Sequence, residues 1–178
     1  MKITINNKDL VFTDYFEMVD YLARNKIDYE FPNSVILHST QLVQKFLEFN
    51  DGLFCIKALN FRPEIFDIDD TISAIKKFLS RGKNKMHIIV ESDEKINKKR
   101  TFIEKFSQEI DDGTIIFKQT NNSTGKRFMV ISNSFREATS TSNGNNFCAW
   151  VNFNDSKISN NLRKEFVQEF DQADDITL

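Results

Sequence analysis

The chain has 178 residues, of which 40% are hydrophobic and 28% charged, and 18 are Phe. That length suits one domain burying roughly 70% of the surface its unfolded chain exposes, and the composition excludes a disulfide-stapled miniprotein and a largely disordered chain. With 24 Lys and Arg against 26 Asp and Glu the net charge is −2, which excludes a global field for polyanions and leaves any nucleic-acid contact to a local patch.

The start, MKITINNKDL, lacks the apolar core of a signal peptide, and no run of about 18 apolar residues follows, so the chain reads as cytoplasmic with no membrane partner. Lys2 to Ile5 and Leu10 to Phe12 alternate around Asn6-Asn7-Lys8-Asp9, which predicts a hairpin. Thr13 or Asp14 caps a helix with Phe16, Met18, Val19, Tyr21 and Leu22 on one side, ending near Asn25. Lys26 to Ser34, which contains Pro32, reads as irregular. Val35-Ile36-Leu37 reads as a short strand or the opening of a helix. Thr40 to Phe49 has Leu42, Val43, Phe46 and Leu47 at helical spacing, and Asn50-Asp51-Gly52 stops it.

The run LFCIKALNF (53–61) has the pattern of a strand buried on both faces. Asp67, Asp69 and Asp70 then crowd the start of a helix striped by Ile72, Ile75, Phe78 and Leu79, where acidic residues suit the helix dipole. MHIIV (86–90) is a second buried strand. Residues 94–110 predict one helix with Ile96, Phe102, Ile103, Phe106 and Ile110 inward and Lys98-Lys99-Arg100 outward. Thr114 to Lys118 is a third strand. From Lys126 come two strands, the polar loop Ser140 to Asn146, another strand and a closing amphipathic helix that reaches Asp171. Phe46, Phe49, Phe54, Phe61, Phe66 and Phe78 read as core. Cys55 and Cys148, inside LFCIKAL and NFCAWVNF, suit buried free thiols, and two Cys with two His at unpaired spacing give no zinc site.

The succession β-α-β-α-β followed by more strands implies an α/β fold with a mixed, mainly parallel sheet flanked by helices on both faces. Residues 1–33 are expected as a small N-terminal hairpin-and-helix extension, 34–172 as the main domain and 173–178 as a tail. There is no Gly-rich phosphate loop, no G-x-S-x-G, no H-E-x-x-H and no C-x-x-C, so common enzyme templates are missing and no cofactor is expected.

From about Thr40 onward the chain resembles a phospholipase D-like domain of the bacterial single-domain kind. The resemblance is carried by GLFCIKALNF, PEIFDIDDTISAIKKFL, KMHIIVES, the strand pair KRFMVIS and SFREA, and AWVNFNDSKISNNLRKEFVQEFD. The motif of that family is H-x-K-x-x-x-x-D, whose His attacks phosphorus while Lys neutralises the phosphate charge. Aligned on the strand Arg127 to Ile131, those positions hold Arg127, Met129 and Ser134. Methionine carries no charge, and a protonated guanidinium is no nucleophile. A frame starting at His87 meets Ile89 and Glu94, and His38 is followed by Thr40, so neither histidine restores the motif.

The resemblance therefore implies the fold with no catalytic residues, leaning away from an enzyme. It implies a binding or regulatory module, a homodimer or the subunit of a protein complex, of the sort found in prokaryotic or phage defence. It would act through protein contacts and through phosphate or nucleic-acid contacts. Candidate residues for the latter are Lys126, Arg127 and Arg136 on adjacent strands and Asn145 in the polar loop, which would hold a phosphate by guanidinium forks and loop amides. Against this stands a solvated rim in which the cations pair with Glu137. A basic surface from Lys76, Lys77, Arg81, Lys83 and Lys85, with Lys95 to Arg100, is a second polyanion candidate. The enzyme alternative is a divergent metal-dependent nuclease or phosphodiesterase using Asp67, Asp69 and Asp70 with Glu91 and Asp93.

Overall fold

The computed structural model describes residues 1–31, 36–91, 100–121, 126–140 and 147–176, excluding the side chains of 36–38, 139, 140 and 147. The chain opens with the predicted hairpin, β1 (Lys2–Ile5) and β2 (Lys8–Val11). Asn6 and Asn7 both take positive φ (50° and 60°), as the tight two-residue turn requires. In α1 (Tyr15–Asn25) the Asp14 carboxylate accepts the Glu17 amide at 2.9 Å, while Glu17 accepts the Thr13 amide at 2.7 Å, a reciprocal cap. Next comes β3 (Tyr29–Phe31), in the stretch expected to be irregular. Three residues are too few to show a period, and β3 is a strand because it pairs with a distant one.

The chain continues as α2 (Ile36–Phe49), β4 (Leu53–Ala58), the single turn α3 (Pro63–Phe66), α4 (Asp69–Leu79) and β5 (Lys85–Val90). Then follow α5 (Thr101–Lys105), α6 (Ser107–Asp111), β6 (Ile115–Gln119), β7 (Arg127–Ile131), β8 (Ser134–Ser140), β9 (Phe147–Asn152), α7 (Ser156–Gln172) and β10 (Asp174–Asp175). Where one helix was expected over 94–110, the described part holds two, broken at Phe106 (φ −123°); Ile96, Lys98 and Lys99 lie outside the described residues. Phe102 and Phe106 are buried as expected.

Among the described residues eight strands form one mixed sheet in the order β10-β6-β5-β4-β7-β8-β9-β3. Only β4–β5 and β5–β6 are parallel, and the other five pairings are antiparallel, which corrects the expectation of a mainly parallel sheet. The reason lies in the connections. Helical crossovers join the parallel strands, whereas β7 and β8 are joined by a two-residue turn with Ser132 at φ 51°, a link open only to antiparallel neighbours.

Helices cover both faces, unequally. On one face Phe54, Ile56, Met86, Ile88, Phe117, Met129 and Val151 pack with the buried stripes of α1, α2, α4 and α5. On the other, Cys55, Ile89, Phe128, Val130 and Phe135 lie under Leu162 and Phe166 of α7. Phe49 departs from its expected core position, being 44% exposed, as is Phe16 at 45%. Both rings flank the buried Lys45, whose ammonium reaches Asp20 at 2.6 Å and Glu48 at 2.7 Å, so they serve as cover for a cation. Among the described residues no helix is long and apolar enough to cross a membrane.

Candidate anion-binding site

The strand β4 sits where the sheet reverses direction, with β5 parallel on one side and β7 antiparallel on the other. Such a reversal opens a crevice beyond the carboxyl ends of the parallel strands. Here it is a cavity of about 140 Å³. Leu59, Asn60 and Arg62, which follow β4, border it together with Ser39 of α2; Ile65 and Phe66 of α3 form one wall; Arg127 and Met129 of β7 with Arg136 and Ala138 of β8 form the other.

Register explains why the two strand arginines meet. Met129 lies opposite Arg136 and Arg127 opposite Ala138, so all four side chains share one face and the arginines are diagonal neighbours, within reach of long side chains. Their Nε atoms are shut off from solvent, although each residue keeps partial exposure. Burial disfavours the charged form of Arg136 and lowers its pKa to about 10. The guanidinium is still protonated at neutral pH, in surroundings that penalise its charge.

Two of the sequence candidates, Arg127 and Arg136, are thus brought together. Lys126 is turned to the opposite face, where its ammonium lies 2.6 Å from Glu165 of α7 and 3.8 Å from Glu137. That arrangement matches the paired rim and removes Lys126 from the cavity. Asn145 lies outside the described residues. Sequence reasoning missed Ser39, Asn60 and Arg62, which crossovers bring to β7. The available signal was Arg62-Pro63, since a proline at the first helical position turns the chain sharply back over the strand end.

At the positions of the family motif, Arg127 and Met129 line the cavity, whereas Ser134 does not. Its hydroxyl is buried near the far end of β7, 3.2 Å from the Phe153 carbonyl. His87 faces α7, stacked on Phe170 at 4.7 Å, and burial, then Lys85 and Lys118, hold its pKa below the ordinary value. Cys55 is a free thiol under the same helix, pushed up to about 12 by burial, and Cys148 is also free but only partly buried. The side chain of His38 lies outside the described residues.

The acidic trio is divided. Asp67 forms a two-point pair with Arg100, 3.1 Å at each oxygen, and accepts the Phe102 amide at 3.3 Å, while Asp69 and Asp70 occupy the first turn of α4. Arg100, expected outward, is therefore turned in, also donating to the Phe61 carbonyl. Glu91 lies beneath α7, 4.0 Å from the Lys57 ammonium, and Asp93 is outside the described residues. No group of three potential metal ligands comes together among the described residues. Lys76, Lys77, Lys83 and Lys85 are exposed around the end of α4, whereas Arg81 is tied to the Asn50 carbonyl at 2.8 Å and the Asp51 carboxylate at 3.0 Å.

No protein-family model matches the sequence, and no curated protein matches it. Solved structures do. An archaeal chromatin protein, TrmBL2, whose structure shows a novel mode of DNA binding, is 13% identical with a TM-score of 0.63 over 90% of this chain. This chain spans only 60% of that protein's chain. Nuc from Salmonella typhimurium, a phospholipase D family member, is 15% identical with a TM-score of 0.55, over 83% of this chain and 97% of Nuc. Polyphosphate kinase from Porphyromonas gingivalis is 13% identical with a TM-score of 0.52, over 89% of this chain and 27% of the kinase. Identities this low speak for architecture alone, and the architecture they share is the one the sequence resembled: the chain has a phospholipase D-like fold.

Proposed function

We propose that the protein is a non-catalytic phospholipase D-like binding module that holds a phosphate group in the cavity between β4, β7 and β8. The observation that carries this reading is the convergence of Arg127 and Arg136 on one wall with Arg62 at the border, in a cavity with no acidic residue among its described lining. Planar guanidinium forks match phosphate oxygens two at a time, and their attraction strengthens where water is thin. An anion there would also offset the desolvation of Arg136. The absence of catalysis is supported by chemistry. The cavity offers no histidine, cysteine or carboxylate among its described lining, while His87 and Cys55 face α7.

Nucleic acid is the proposed carrier of the phosphate, in keeping with the structural likeness to a chromatin protein that binds DNA. Self-association or membership of a larger complex, in the cytoplasm and in a defence-related setting, completes the proposal. Thermal unfolding in phosphate against chloride at equal ionic strength tests the site. Phosphate at 100 times its Kd stabilises by about 2.7 kcal/mol, and this shift disappears in Arg136→Met and Arg127→Met. No shift in the parent protein would overturn the reading. Phosphodiester cleavage abolished by Arg127→Ala would overturn its non-catalytic part.

A further inference from the structure

We infer that residues 167–176, the last turns of α7 with β10, are an autoinhibitory strap: an internal polyanion that covers lysines of the sheet and gives way to the phosphate backbone of a single-stranded nucleic acid. The ligand class rests on the reading above, whereas the site lies on the opposite face of the sheet from the cavity.

The charge order along α7 is the first argument. Lys157, Arg163 and Lys164 come early, and from Glu165 to Ile176 there are five carboxylates and no Lys or Arg. A helix dipole favours the reverse order, acids at the amino end and cations at the carboxyl end, yet α7 has no acid in its first turn and no base in its last. Charges set against the dipole need partners outside the helix, and the sheet supplies them.

Register shows how. Lys57 of β4 stands opposite Ile89 of β5, and Ile89 opposite Lys118 of β6, so the two lysines share a row and a face, about 10 Å apart across two strand spacings. The strap lays Glu169 on Lys57 at 2.7 Å and Asp175 on Lys118 at 3.4 Å, and Phe170 between them stacks on His87. With Lys85, whose charge also reaches His87, the covered row holds three lysines against the single carboxylate of Glu91. Uncovered, it is a positive patch on a chain whose net charge is −2.

Anchoring is the third argument. The start of α7 is capped by Asp155 and holds the sheet through the buried Ser159, Leu162 and Phe166. From Val167 to Ile176 no residue is buried, and β10 adds two residues of pairing to β6. A segment held by charge, with little buried apolar surface, opens more readily than the half-helix before it. Asp175 is 83% exposed, so its pair with Lys118 is screened and open to exchange. While the strap is closed it reduces the apparent affinity for a polyanion in proportion to the closed fraction.

Fluorescence anisotropy with a labelled single-stranded oligonucleotide at low salt compares the parent with Glu169→Gln/Asp175→Asn. The variant is expected to bind at least about fivefold tighter, because its strap no longer competes for the lysines. Adding Lys118→Gln should cancel the gain. Glu104→Gln/Asp111→Asn, which removes the same charge from exposed positions on α5 and α6, should not reproduce it. In the parent, saturating oligonucleotide is expected to speed amide hydrogen exchange over 167–172 and to leave 159–164 unchanged. An equal gain in the control pair, no gain in the strap variant, or exchange over 167–172 that the oligonucleotide slows or leaves as it was would each overturn the strap. Arg136→Met separates the two faces. A gain that collapses in that background would belong to the cavity and overturn the strap, whereas a gain kept at undiminished affinity would overturn the phosphate cavity and leave the strap standing.

Discussion

Lys57 and Arg136 each place a cation inside the same sheet, one on either face. Lys57 of β4 is fully enclosed beneath α7, with its ammonium 2.7 Å from Glu169 and 4.0 Å from Glu91. Arg136 of β8 points the other way, onto the cavity beside Arg127. The difference follows from what covers each face. The helix α7 brings Glu165 and Glu169 down onto the strands, while the one-turn helix α3 brings only Ile65 and Phe66. One face closes over its charge with the acids of α7, and on the other the charge borders a cavity walled in part by Ile65 and Phe66.

The two cations should therefore respond in unlike ways to the same substitution. Lys57→Met strands two carboxylates beneath α7 and is expected to cost about 3–5 kcal/mol in urea unfolding. Arg136→Met removes a charge that burial already penalises, and is expected to cost less than Lys57→Met. Equal losses at the two positions would break the comparison.

Arg100 sharpens the cause. It lies on the cavity face and pairs with Asp67, and its guanidinium sits 4.9 Å from the Phe61 ring, which stacks on Phe66 of the cavity wall at 4.0 Å. Asp67→Ala is expected to cost about 2–3 kcal/mol by stranding a largely buried cation. Arg100→Met added to Asp67→Ala should then recover part of the loss, read from the same unfolding curves in a double-mutant cycle. A double variant as unstable as the sum of its single changes would show that these residues act independently.

How much of this was legible in the sequence depends on how far each feature is local. The strands β4, β5 and β6 were readable because LFCIKA, MHIIV and IIFKQ are apolar runs, and α4 and α7 because their stripes persist over several turns. Strand direction was not, since nothing in β7 or β9 records which neighbour it will meet. The short strands β3 and β10 exist only through their partners, β9 and β6. In the site, Arg127 and Arg136 were readable across one tight turn. Lys126 was misplaced for a reason the sequence did contain: one step along a strand reverses the face, so adjacent basic residues cannot both enter one cavity. Arg62 and Ser39 arrive through crossovers, which pattern alone does not locate.

The smallest expected effect separates the faces by pH. His87 lies on the α7 side, stacked on Phe170, with burial and then Lys85 and Lys118 holding its pKa below 6.5. In the window beneath 6.5 the unfolded chain takes up the proton more readily than the folded one, so stability rises with pH through that window and is lost on acidification. The expected effect is a small fall in Tm on acidification. His87→Phe keeps an aromatic ring against Phe170 and removes the titration, so its Tm should fall less than the parent's between pH 7.5 and 5.5. Arg136 stays protonated across that range, so Arg136→Met should keep the parent's slope. A parent-like slope in His87→Phe would place the acid sensitivity elsewhere.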